Sequence, residues 1–144
     1  NRAMDALQKG AEKAGRSIDE IDRPQLVVCS VHEDRDTALS MARNMVAQYL
    51  GQQPHIMEAS GVPKSLLDDV GQILTWPATH EQVEAAAKLV PDDIVQMLTA
   101  SGTAAEAREA VAGYMANGCT SPVLYPLGDV YATIDAFAGW DHNS

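Results

Sequence analysis

The chain has 144 residues and 15.4 kDa, 46% of them apolar and 21% charged. That is the size of one globular domain, 1–144, and it is too short for a complete (β/α)₈ barrel, which needs at least about 200 residues. The net charge of −10 is uneven: residues 1–64 carry 8 Lys/Arg and 9 Asp/Glu, residues 65–144 carry 2 and 11. The second half repels phosphate and anionic headgroups, so neither nucleic acid nor a membrane surface is an expected partner, and no run approaches the roughly 18 apolar residues of a membrane span.

The first residues, Asn1-Arg2-Ala3-Met4-Asp5, hold no apolar signal region and already follow a helical pattern. We therefore expect a segment of something longer, and the two unpaired cysteines, Cys29 and Cys119, point to the reducing cytoplasm. Ala3, Leu7, Ala11 and Ala14 recur at helical spacing over Arg2–Ala14, with Gly15 as the stop. Ser17 and Glu20 have the spacing of a capping box, predicting a short turn of helix before Arg23-Pro24. Gln25–Val31 is nearly continuous in apolarity and predicts a strand covered on both faces, as in parallel sheets. Asp34 or Asp36 then caps a helix over about 35–50, with Ala38, Met41, Ala42, Met45, Val46 and Tyr49 as its apolar stripe and Gly51 as its end.

From residue 52 to 100 the pattern holds only helices and turns, punctuated by Pro54, Pro63, Pro77 and Pro91. Lys64–Trp76, Glu81–Leu89 and Asp92–Leu98 are the predicted helices. Ser101-Gly102-Thr103 reads as a turn, and Thr103 with Glu106 is a second capping box, opening a helix to Ala116. Cys119–Leu127 predicts a second buried strand, and Gly128-Asp129 turns into a last helix over about 130–138. Two helix-linked strands favour a parallel βαβ arrangement with unpaired edges.

Cys29 and Cys119, 90 positions apart in apolar surroundings, read as buried free thiols. No metal-ligand spacing joins His55, His80 and His142, so no metal site is expected. Trp76 and Trp140 read as packing anchors.

Four stretches resemble the C-terminal part of the luciferase-like flavin and F420 oxidoreductases, especially the methylenetetrahydromethanopterin reductase type. Residues 10–22, with Ala14-Gly15-Arg16 and Ile21-Asp22, resemble that family's G-x-x-x-A-G-R-x-x-x-x-I-D helix and turn. Ser30-Val31-His32-Glu33-Asp34, with Ala38, resembles its strand ending in S-V-x-x-D-x-x-x-A. Gly102-Thr103-Ala104-Ala105-Glu106 resembles its G-T-x-E-E helix start, and Pro126-Leu127-Gly128 its P-x-G after the last strand. The resemblance covers roughly residues 8–138.

It implies a helix-rich α/β fold, the C-terminal part of a (β/α)₈ barrel. Gln25–Val31 and Thr120–Leu127 would be its last two strands and residues 52–100 a helical insertion. It implies a parent reaction of hydride transfer between F420, or FMN, and a small organic substrate. The strands that hold most of the cofactor precede the matched part, so no catalytic residue is assigned here. His32 and Glu33, ending the first strand, fall on the catalytic face of such a barrel; the alternative is a polar strand end and helix cap. Gly128 stands where backbone N–H groups hold anions, or is an ordinary turn beside the repelling Asp129. Tyr125 points into a pocket or is a core aromatic. The expected partners are the rest of the barrel or further copies of the chain covering the open strands. A second reading is a non-catalytic α/β oligomerisation or interaction module.

Overall fold

The computed structural model describes residues 2–141. Helix α1 (Arg2–Lys13) leads to a 3₁₀ turn, Ile18–Glu20, and strand β1 (Pro24–Val31). The long helix α2 (Arg35–Gln52) is followed by α3 (Pro54–Ala59), α4 (Lys64–Ile73), α5 (His80–Ala87) and α6 (Asp92–Leu98). A short strand β2 (Ala100–Gly102), helix α7 (Ala104–Ala116), strand β3 (Ser121–Leu127) and helix α8 (Val130–Phe137) complete the order. Among the described residues no helix is long and apolar enough to cross a membrane.

The three strands form one parallel sheet in the order β2-β1-β3. β1 and β3 run side by side from Pro24↔Ser121 to Ser30↔Leu127, while β2 pairs only with the upper end of β1, Cys29↔Ala100 to Val31↔Gly102. The third strand corrects the expectation of two. Ala100-Ser101-Gly102 reads as a turn because three small residues carry neither a period nor β-branched side chains. What makes it a strand is backbone pairing to β1, and all three residues are buried.

β1 fits its apolar pattern: Val27, Cys29 and Val31 face α7 and α8, packing with Ala107, Val111 and Ala136, and the alternate residues Val28 and Ser30 are buried too. β3 does not. Its pattern predicts burial, but Val123 and Tyr125 are half exposed, because the face they share with the 61% exposed Leu26 is left open at this end of the sheet. A second core lies among the helices, where Leu39, Val46 and Leu50 of α2 meet Val70, Val90 and Val95. Serving both this cluster and the sheet, α2 buries Leu39, Ala47 and Leu50 beyond the predicted stripe and leaves Met41 exposed.

Local signals explain the helix ends. Asp34 caps α2, its Oδ1 accepting from the Asp36 N–H at 3.3 Å and its Oδ2 from the Thr37 hydroxyl at 2.5 Å. Thr103 and Glu106 close a reciprocal capping box on α7. Ser17 accepts from the Asp19 N–H instead of forming the predicted box, and Glu20 pairs with Arg16 at 3.3 Å. Trp76 is half exposed rather than an anchor, whereas Trp140 packs edge-on against Phe137 at 5.5 Å.

Candidate functional site

The C-terminal ends of β1 and β3 open onto a cleft of about 480 Å³ between α7 and α8. Its polar lining is His32, Glu33, Arg108, Asp129, Tyr131 and Asp135. The strand carries His32 and Glu33 to this rim because β1 ends there and Asp34 must turn the chain into α2. The Asp34 N–H donates to His32 Nδ1 at 3.0 Å, so a neutral His32 carries its proton on Nε2. Arg108 Nε donates to the Ala136 carbonyl, tying α7 to the end of α8. Asp129 caps α8, its Oδ1 accepting from the Tyr131 N–H at 2.9 Å. Three carboxylates and one guanidinium thus line the same cleft, and the guanidinium is anchored to the protein.

The four sequence candidates divide. His32 and Glu33 lie in the cleft. Gly128, at φ +73°, makes the turn immediately before Asp129, with Met41 packed where a side chain would project. Tyr125 lies on the open face of the sheet, 46% exposed, and is neither a core aromatic nor part of this lining. His55 and His80 are far apart in the chain on α3 and α5, and His142 lies outside the described residues. Among the described residues no group of three or more His, Cys, Asp or Glu side chains is placed to hold a metal ion. Both cysteines are buried and free, and burial pushes the Cys29 thiol up to about 11, so it packs rather than reacts.

Sequence reasoning missed Arg108, Tyr131 and Asp135. Arg108 had a signal: it is one of only two cations in residues 65–144. Tyr131 and Asp135 had none, since their helix is short and its partner surface lies far away in the chain.

Other polar residues in and beside the motifs bond to their own chain. At the lower end of the sheet, Asp22 Oδ1 accepts from the Thr120 hydroxyl at 2.5 Å and the Ser121 hydroxyl at 2.6 Å. These hydroxyls hold its carboxyl below the usual range. Arg23 donates to the carbonyls of Gly118 (2.7 Å), Ile18 (2.6 Å) and Ile21 (2.9 Å), and its N–H to Thr120 Oγ1 at 2.7 Å. This clamp sets the register of β1 against β3 across nearly one hundred residues of chain.

At the upper end, Glu106 accepts four hydrogen bonds. Arg35 Nε (2.9 Å) and Gln96 Nε2 (3.1 Å) donate to Oε1; the Thr103 N–H (2.8 Å) and hydroxyl (2.9 Å) donate to Oε2. The Thr103 N–H leads in holding the Glu106 carboxyl down to about 2, joined by the Thr103 hydroxyl, Arg35 and Gln96. Arg35 also reaches Asp92 (3.3 Å) and Gln96 (3.0 Å), and Asp92 receives Arg43 at 2.5 Å. Gly102 is needed here: its φ is +141°, and a Cβ would stand 2.5 Å from Glu106 Oε2. The Gly-Thr…Glu motif therefore ties β2, α2, α6 and α7 together.

The parallel strands, the cleft at their C-terminal ends and the helical stretch between them define a partial (β/α)₈ barrel of luciferase-like type. The chain belongs to the luciferase-like monooxygenase family, whose model matches residues 1–121. It is 30% identical over 128 residues to the 5,10-methylenetetrahydromethanopterin reductase of Archaeoglobus fulgidus, covering 88% of this chain and 39% of that protein. In fold it is similar to the coenzyme F420-dependent tetrahydromethanopterin reductase of Methanopyrus kandleri, with a TM-score of 0.70 at 22% identity, over 83% of this chain and 33% of that one. The chain thus spans about two-fifths of the length of its curated relative.

Proposed function

We propose that the chain is the C-terminal segment of an oxidoreductase barrel, whose complete form moves hydride between F420, or FMN, and a small organic substrate. In that barrel these residues supply scaffold: the last two long strands, one wall of the substrate mouth, and an insertion, residues 52–100, beside it. The observation that carries this reading is where the motif residues Asp22, Asp34 and Glu106, and the arginines that follow the first two, direct their polar groups. Asp22, Arg23, Asp34, Arg35 and Glu106 are engaged by their own chain. Both cofactors bear a phosphate, and the cleft does not suit one: Glu33, Asp129 and Asp135 oppose it, and Arg108 is tied to Ala136. His32 and Glu33 then serve as rim groups near the substrate rather than as the hold on the cofactor.

The test is a chimera in which this chain replaces the matching part of the Archaeoglobus reductase, assayed for F420-dependent turnover. We expect a folded chimera with F420-dependent activity. A chimera that folds and binds F420 but shows no turnover contradicts the assignment.

A further inference from the structure

The sheet has two outer edges, and the phase of the backbone makes them unequal. The His32 N–H donates to the Gly102 carbonyl at 3.2 Å, so the even-numbered residues of β1 direct their N–H and C=O groups toward β2. The odd-numbered ones turn to β3, as the Arg23 carbonyl does in accepting from the Thr120 N–H at 3.1 Å. β2 meets only Cys29–Val31 of β1. Below it, the N–H groups of Leu26 and Val28 find no backbone acceptor among the described residues, and Pro24, in the same phase, has no N–H. A cavity of about 560 Å³ reaches this stretch at Gln25, and its other walls include Ala3 of α1 and Ala110 and Gly113 of α7.

We propose that the lower edge of β1 is where the rest of the barrel joins this chain, through one short parallel strand that runs beside Pro24–Val28 and stops where β2 begins. This rests on the hydride-transfer barrel reading and adds to it the joining surface and its upper limit. β2, which follows the helical stretch, then stands in for the top of the joining strand at the mouth of the barrel.

The open groups select a strand. Leu26 and Val28 present donors two residues apart with the Leu26 carbonyl between them, which is the repeat of a ladder, and an extended chain satisfies all of them in succession. The sheet selects a parallel one, since both existing pairings of β1 are parallel. Helix α1 leads into β1 as the crossover helix of a βαβ unit does, and such a unit sets its two strands side by side in parallel. The outer edge of β3 is the poorer junction. Proline is tolerated in a strand where its missing N–H faces outward, and Pro122 and Pro126 share that phase, leaving Leu124 as the one donor there.

Amide hydrogen exchange resolved to single residues tests this, in the 144-residue chain and in the chimera with the Archaeoglobus reductase. In the chain alone, the Leu26 and Val28 amides should exchange at least about 100-fold faster than those of Val27 and Cys29, which face β3. In the chimera both should slow by a similar factor, while the Gly102 amide of β2 keeps the protection it has in the chain. A folded chimera that protects Leu26 and Val28 yet shows no turnover contradicts the hydride-transfer assignment and supports this junction. Fast exchange at Leu26 and Val28 in a folded chimera overturns the proposal, whether or not it turns over F420. So does loss of protection at Gly102, because the joining strand has then displaced β2. Slow exchange of Leu26 and Val28 in the chain alone overturns it as well, since another copy or the chain itself already fills the edge. A chimera that does not fold also overturns it, because the edge then has no occupant.

Discussion

Val28→Asp should leave no folded protein at neutral pH. Val28 is 6% exposed in the central strand, opposite Tyr125 and flanked by the fully buried Cys29. No cation is within the apolar positions of β1 or β3 to receive the carboxylate. Burying an unpaired charge costs several kcal/mol, a large part of the roughly 5–15 kcal/mol that separates a domain from its unfolded chain. Leu26→Asp, two residues earlier on the same face but 61% exposed, should change stability by less than about 1 kcal/mol. Thermal melting followed by circular dichroism compares the two. A soluble Val28→Asp protein with an unchanged melting curve contradicts the placement of β1.

The second large effect belongs to Glu106. Glu106→Ala removes the acceptor of four hydrogen bonds and should destabilise by about 2–3 kcal/mol, allowing for the solvent that reaches this group. The same carboxylate gives a pH signature. Its folded pKa, about 2, lies below the ordinary value of 4.5, so its contribution is complete above 4.5 and is lost as pH falls from 4.5 toward 2. The midpoint of thermal unfolding should therefore fall across that window, and fall less steeply in Glu106→Gln, which has no charge to lose. Parallel pH profiles of the two proteins are inconsistent with the network.

Continuous apolarity made β1 legible, and capping chemistry made the starts of α2 and α7 legible, because both signals lie within a few residues of the elements they define. β2 escaped because a three-residue strand of small side chains is specified by its partner. β3 read as buried because Val123, Leu124 and Tyr125 match an interior strand in composition, while its exposure depends on what covers the face of the sheet. The site divided along the same line. His32 and Glu33 follow from where β1 ends, but Arg108, Tyr131 and Asp135 join them through the docking of α7 and α8. The roles of Asp22, Arg23 and Glu106 were hidden for another reason. A polar side chain looks alike whether it faces a ligand or a distant partner in the fold, and their partners Thr120, Gly118 and Arg35 lie 71 to 98 residues away.

The central claim is that these motif residues hold the sheet and not the cofactor. A fluorescence titration of the 144-residue chain with F420 and with FMN tests it most directly. No saturable change is expected for either, even at high micromolar concentration. Saturable binding at low micromolar concentration would show that this segment grips the cofactor itself and would contradict the account.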